Sequence, residues 1–590
     1  MQFGAQVLAV GGTRFRLWAP AARQAEVVLE PGGAHAMQVL ADGWHEAVVP
    51  GAGAGSRYRY RLDGGTPVPD PASRYNPDDV HGASEVVDPA AYAWQDAGWR
   101  GRPWHEAVVY ELHVGCFTPE GSFAAAAERL AELAALGVTA IQLMPLADTP
   151  GARNWGYDGV LMFAPEAGYG RPDDLRALVD RAHALGLMVF VDVVYNHFGP
   201  DGNYLHGYCP QFFNAAHQTP WGAAINYDGE HKAAVRAFFV ANALYWVEEF
   251  HCDGLRLDAV HQIRDDSALA IVEEIAQALA QGPGRQRHVH LVLENERNQA
   301  QRLAPAGLAT AQWNDDLHNA AHVLLTGETD GYYADYAQAP HELFARALAE
   351  GYAYQGQVSP HLGEPRGEPS GQLPPTAFVS FLQNHDQVGN RAMGERLDRL
   401  VGAQRLEALY ACLLLAPHIP MLFMGEEFAA STPFLFFCDF EGELADAVRN
   451  GRRAEFKRFA VFADEAARAR IPDPNAEATF AQSKLRWAER ETTPHRERLA
   501  LVGRLLALRH QHLVPRLAGA AQGGRSLGAG RFVRVAWPLA NGARWELQAN
   551  LQDAAVPAPL AVSEGGQPIY VSHAGTGMPP WSVRVSLHTP

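Results

Sequence analysis

The sequence predicts a multidomain protein: a central (β/α)8 TIM barrel flanked by N-terminal and C-terminal all-β sandwich domains. Three observations predict it. Apolar and polar residues alternate through residues 1–95, strand-like and helix-like runs alternate through residues 96–512, and the first texture returns over residues 513–590. A chain of 590 residues also exceeds one core, because single cores stop growing beyond ~250–300 residues.

Within residues 1–95, Thr13-Arg14-Phe15-Arg16-Leu17-Trp18 and Arg57-Tyr58-Arg59-Tyr60-Arg61-Leu62 each offer one apolar face. Gly- and Pro-rich turns separate them, which is the pattern of a small antiparallel sandwich. The barrel begins with Ala107-Val108-Val109-Tyr110-Glu111-Leu112, then a helix from Phe123 to Leu136, then Ala140 to Pro145. Further strands follow at Met188 to Val194, Gly254 to Val260, Val289 to Leu293, Thr310 to Trp313, Phe378 to Leu382 and Pro420 to Met424. The most apolar stretch, Leu409 to Met424, is interrupted by Pro417, His418 and Pro420. It predicts a buried helix and a strand, since a membrane-spanning helix needs ~20 unbroken apolar residues. The C-terminal domain announces itself with Arg531-Phe532-Val533-Arg534-Val535-Ala536-Trp537.

Composition bounds the function. Hydrophobic content of 47% with 19% charged residues describes a globular protein. The net charge of −18 carries no long single-sign run. Such a surface repels nucleic acid and anionic membranes and favours a neutral substrate. Cys116, Cys209, Cys252, Cys412 and Cys438 show no paired spacing, so neither a disulfide framework nor a zinc site is expected. Met1-Gln2-Phe3-Gly4-Ala5-Gln6 lacks the basic and apolar regions of a signal peptide, and cytoplasmic residence as a monomer is expected.

Three segments carry the chemistry, each ending an apolar run with a carboxylate: Gly254-Leu255-Arg256-Leu257-Asp258-Ala259-Val260-His261, His290-Leu291-Val292-Leu293-Glu294 and Phe381-Leu382-Gln383-Asn384-His385-Asp386. Cleaving a glycosidic bond takes one carboxylate at the anomeric carbon and one carboxylic acid at the leaving oxygen. Strand parity points Arg256 and Asp258 the same way. A guanidinium there holds Asp258 ionised, as a nucleophile needs, although a purely structural ion pair accounts for the pattern as well. The apolar neighbours of Glu294 disfavour its ionisation, which suits a general acid. Glu296 shares its face by parity and is a rival. His385 and Asp386 can grip vicinal hydroxyls, and Asn196 and His197 repeat the arrangement on an earlier strand. Aromatic faces stack on pyranose rings; Tyr157 and Trp221 are the candidates, with Asp158 beside Tyr157 and His261 closing the first segment.

Taken in order, Asp192-Val193-Val194-Tyr195-Asn196-His197, Gly254 to Asp258, Leu293-Glu294 and Asn384-His385-Asp386 resemble the four signature regions of the α-amylase family of glycoside hydrolases. Asn154 to Val160 and Tyr169 to Leu175 resemble the branch that holds branching and trehalose-releasing enzymes. Asn196 to Leu205, Asn384 to Arg391 and Met424 to Phe428 are closer to the latter. The likeness covers nearly the whole chain, with an N-terminal sandwich similar to the family's carbohydrate-binding module. It implies that Asp258 is the nucleophile, Glu294 the acid/base and Asp386 the stabiliser. Arg256, His197, His385 and Tyr157 are implied to line the subsite where the bond breaks. Leu293 departs from the small residue usual before the acid, whereas Arg297-Asn298 fits Glu294. Many members bind calcium, but no clear acidic cluster is visible here, so no metal and no cofactor are expected. The implied reaction is retaining hydrolysis of the α-1,4 bond next to the terminal trehalose of a malto-oligosaccharide. A glycogen branching enzyme would use the same carboxylates with a sugar hydroxyl as acceptor. A catalytically silent glucan-binding protein would typically lack one of them.

Overall fold

A computed structural model describes residues 2–305, 307–458, 462, 464–556, 566–573 and 577–590. Eight parallel strands close a barrel in sequence order: β1 (Val109–Leu112), β2 (Ala140–Leu143), β3 (Met188–Val193), β4 (Gly254–Leu257), β5 (His290–Leu293), β6 (Ala311–Trp313), β7 (Phe378–Ser380) and β8 (Ile419–Phe423). Every residue of these strands is buried, because helices cover the outside and side chains fill the inside. That two-sided burial explains why they read as continuous apolar runs. The expected helix is present as α1 (Phe123–Leu136), started by the Ser122 hydroxyl accepting from the Ala125 N–H and stopped at left-handed Gly137.

Register prepares the site. Asp192 on β3 lies directly opposite Arg256 on β4, and Gly254 lies between Phe190 and His290. β4 ends at Leu257, so Asp258 stands just past the strand. Ala259 then turns into the left-handed region at φ 39°.

The N-terminal segment forms two four-stranded antiparallel sheets around Phe15, Val27, Tyr58 and Tyr60. Other aromatics of this module face the barrel: Phe3 meets Phe238 at 5.2 Å and Trp18 meets Phe212 at 5.5 Å. Phe238 belongs to α2 (Lys232–Glu248). Arg74 adds an ion pair to Glu249 at 3.0 Å.

The C-terminal all-β domain differs from the expected sandwich in its second layer. Among the described residues it is one five-stranded antiparallel sheet. The indole N–H of Trp537 donates to the Leu348 carbonyl (3.1 Å), and that of Trp545 to the Leu415 carbonyl (2.8 Å). These carbonyls belong to α3 (Pro340–Glu350) and to the residue capping α4 (Ala403–Leu414). The barrel's own helices therefore cover the apolar face that a second sheet would cover. Among the described residues no helix is long and apolar enough to cross a membrane.

Candidate active site

The C-terminal ends of the strands open onto a cavity of about 530 Å³ lined by Asp258, Glu294 and Asp386, together with Tyr157, Asp158, His197, Trp221, His261 and His385. Nine of the ten expected site residues thus face one space. Arg256 is the exception and a correction: it is fully buried and lies behind the carboxylates instead of lining the cavity. Its position in mid-strand aims it into the barrel core, where the indole of Trp313 on β6 stacks on its guanidinium at 4.1 Å.

From there one guanidinium organises three strands. Nη1 donates to Asp192 Oδ2 (2.7 Å) and Asp258 Oδ1 (2.8 Å), and Nη2 donates to Glu294 Oε2 (2.7 Å). The Asn196 amide donates to Asp258 Oδ2 (2.8 Å), and the turned-over Ala259 N–H donates to Glu294 Oε2 (2.8 Å). Both donors to Glu294 take Oε2, which leaves Oε1 for a proton.

The environments split the two carboxyls. Burial opposes the charge on Asp258, but Arg256, the Asn196 hydrogen bond and His197 outweigh it and hold the pKa below the ordinary value. Around Glu294 burial prevails over Arg256, and Asp258, Asp386 and Asp315 add repulsion, so its pKa lies well above the usual carboxylate range. Buried Asp192 is pushed up to about 6 despite Arg256. A pair of carboxyls driven apart in this way can divide the roles of anion and acid.

Glu294 and Glu296 occupy different surroundings. Glu296 is half-exposed, and its carboxylate lies 3.5 Å from His261 Nε2; it reaches neither Arg256 nor Asp258 within the hydrogen bonds formed. Once β5 ends at Leu293, strand parity no longer holds and Glu296 swings to the rim.

Asp386 is the most open of the three, with its side chain 36% exposed and Oδ1 3.5 Å from His385 Nε2. The Tyr157 ring stacks on His385 at 5.0 Å, and its hydroxyl donates to Asp192 Oδ2 (2.7 Å). Trp221 is half-exposed on the hairpin Phe213–Thr219/Gly222–Ile225 and stacks on His197 at 4.4 Å. Asp158 accepts from Asn154 (2.9 Å). Another aromatic near these loops serves the core: Tyr227 is buried and donates to the Tyr195 carbonyl.

Sequence reasoning missed two groups. Glu111, inside β1, accepts from His385 Nδ1 (2.7 Å); a charge within an otherwise apolar run was the available signal. A far wall built from Asp315, Tyr332, Asp335, Tyr336, His361 and Arg366 also lines the cavity. Part of it falls in the Gly- and Pro-rich stretch near 359–375, where no periodicity exists to read. Potential metal ligands come together once among the described residues, at His217 of the hairpin strand Phe213–Thr219 with Asp228 and Asp266. His217 Nε2 and Asp228 Oδ2 already pair there at 2.8 Å.

Residues 87–214 match the α-amylase catalytic domain and residues 2–89 match carbohydrate-binding module 48, the isoamylase N-terminal domain. A malto-oligosyltrehalose trehalohydrolase from Deinococcus radiodurans is 47% identical over 502 residues, covering 85% of this chain and 81% of the relative. One from Saccharolobus solfataricus is 40% identical over 481 residues, covering 81% and 82%. A branching enzyme of Nocardia farcinica is 37% identical, but over 42% of this chain and 36% of its own. A solved Salmonella typhimurium protein superposes with a TM-score of 0.94 at 47% identity, covering 100% of this chain and 99% of its own. Similarity of this extent, with the signature carboxylates gathered around one cavity, places the chain in a defined family: it belongs to the malto-oligosyltrehalose trehalohydrolases, within the α-amylase family of glycoside hydrolases.

Proposed function

We propose that this chain hydrolyses the α-1,4-glucosidic bond next to the terminal trehalose of a malto-oligosaccharide, with retention, and releases trehalose. The observation that carries the chemistry is the pair of carboxyls held by one guanidinium with opposite pKa shifts: Asp258 kept anionic, Glu294 kept protonated. Asp258 attacks the anomeric carbon while Glu294 passes its proton to the departing trehalose oxygen. The same glutamate, now a base, then activates the water that breaks the glycosyl–enzyme bond. Asp386, reaching into the cavity beside protonated His385, is suited to grip ring hydroxyls and hold the distorted sugar. Tyr157 and Trp221 offer it their faces. The choice of trehalose as leaving group rests on the relatives' names and their extensive identity.

The five cysteines are free and buried, as suits a reducing cytoplasm. The deciding experiment incubates the protein separately with maltooligosyltrehalose and with amylose. Free trehalose from the first and no new branch points in the second are expected. Branch points without trehalose would overturn the reading in favour of glucan transfer.

A further inference from the structure

His385 is completely enclosed, and its ring faces the cavity with one edge only. Behind that ring stands Glu111, in the middle of β1, 274 residues away in the chain. Its two carboxylate oxygens are divided: Oε1 accepts from His385 Nδ1 (2.7 Å) and Oε2 from the His385 backbone N–H (3.0 Å). The carboxylate therefore fixes both the ring and the start of the short helix His385–Gly389 that carries Asp386. Tyr157 covers one face of the ring, and Trp155 meets it edge-on at 5.5 Å. With Nδ1 committed, Nε2 is the nitrogen left toward Asp386, 3.5 Å away.

We propose that Glu111 is a positioning residue for glycoside cleavage: its buried carboxylate holds the His385 imidazole doubly protonated and aimed, so that Nε2–H is donated to the substrate and to Asp386. This rests on the reading that the bond is cleaved between Asp258 and Glu294. The charged and titratable groups facing His385 are Glu111 on β1, Asp386 beside it, Asp192 on β3, Arg256 on β4 and His113 after β1. Burial and Arg256 oppose its charge, yet Asp386 and Glu111 prevail and raise the pKa to about 9. His113 does not compete, since burial lowers its own pKa to about 4. A neutral His385 would offer Nδ1–H to Glu111 and a bare Nε2 lone pair to the cavity, where it would repel Asp386 and the sugar oxygens. Glu111 thus sets the sign of the hydrogen bond at the opposite edge of the ring.

The test uses α-maltosyl fluoride, whose leaving group needs no proton, so that Glu294 as acid drops out of kcat/KM and trehalose recognition is not involved. Wild type should hold its kcat/KM up to an alkaline limb near pH 9. Glu111→Gln should keep the rate within a few-fold at pH 6 and lose ~10-fold or more at pH 8, its limb moved acidward by about two units or more, because the neutral amide no longer favours imidazolium. Glu111→Asp, which keeps the charge, should keep the limb near that of wild type. A Glu111→Gln limb that coincides with wild type, or an equal loss at all pH values, overturns the proposal. Should Glu111→Gln fail to fold, the 15N imidazole shifts of wild type decide, with His385 assigned by its disappearance in His385→Gln. Two protonated nitrogens at pH 8 uphold the proposal, and a neutral ring overturns it. Failure of the wild type to release trehalose from maltooligosyltrehalose would overturn the substrate reading and leave these outcomes intact.

Discussion

At the residue scale one cation serves three carboxyls, and the two proposed for catalysis respond to it unequally. Arg256 spends Nη1 on Asp192 and Asp258 and Nη2 on Glu294, and the difference between the two catalytic candidates comes from what else surrounds them. Asp258 has the Asn196 amide as well, whereas Glu294 faces Asp258, Asp386 and Asp315. Asp258→Asn keeps the shape and the Asn196 contact but removes the nucleophile, so turnover should fall by at least ~10³-fold with circular dichroism unchanged. A purified variant keeping more than a small fraction of the wild-type rate contradicts the role. The pH dependence follows from the two shifts. In its proposed role Asp258 acts as an anion, so kcat/KM on maltooligosyltrehalose should fall as pH drops through its depressed pKa. In its proposed role Glu294 acts as an acid, so kcat/KM should fall as pH rises through its elevated one. Glu294→Gln should cost ~10²–10⁴-fold on that substrate and much less in the first step on α-maltosyl fluoride. An equal loss on both substrates would argue against proton donation.

At the scale of elements, the barrel strands are held at spacings that leave no room for a methyl group in places. Gly254 opens β4 between Phe190 of β3 and His290 of β5. A Cβ built on it would stand 2.3 Å from the His290 carbonyl and 2.5 Å from the Phe190 ring. Gly254→Ala should therefore spread three strands just below Arg256 and Asp258 and cost about 1–3 kcal/mol. The expected readout is a lower urea midpoint at an unchanged m-value, and an unchanged midpoint would show that the barrel absorbs the methyl freely. The strand and helix periods of this region were legible in the sequence, as α1 and the eight barrel strands demonstrate. The strand ends were not. β4 was expected to run to Val260 and stops at Leu257, because the left-handed turn at Ala259 is stabilised by the carboxylate of Glu294, a partner that no local pattern contains.

For the whole molecule, the N-terminal module is bound to the barrel by buried aromatics and by charge pairs, among them Arg74 with Glu249 and Glu85 with Arg171. Arg74 donates through Nε and Nη2 to both oxygens of Glu249, at the end of α2, and through Nη1 to the Ala5 carbonyl of its own module. Removing the carboxylate leaves a guanidinium enclosed without its counter-charge. Glu249→Ala should destabilise the protein by about 3 kcal/mol, the low end for a buried pair because Glu249 keeps some contact with solvent. Differential scanning calorimetry and limited trypsin cleavage between the module and the barrel measure this; unaltered melting with unaltered cleavage would mean that the Arg74–Glu249 pair does not hold the module. Since Phe3, Trp18 and Trp44 are buried, the module contributes to the barrel's stability through these aromatics.

The sequence by itself determined the order of the barrel strands, the class of chemistry and the convergence of Asp258, Glu294 and Asp386 on one cavity, because period and strand-end position are local properties and a barrel puts every strand end at one mouth. Only the tertiary structure separated Glu294, held on Arg256, from Glu296, at the rim beside His261, which parity makes equivalent until the strand ends. It alone withdrew Arg256 from the cavity, covered the C-terminal sheet with barrel helices, and set Glu111 behind His385. Each of these is a contact between residues far apart in the chain, made by packing and charge compensation in a closed barrel, and periodicity carries no record of which distant groups will meet.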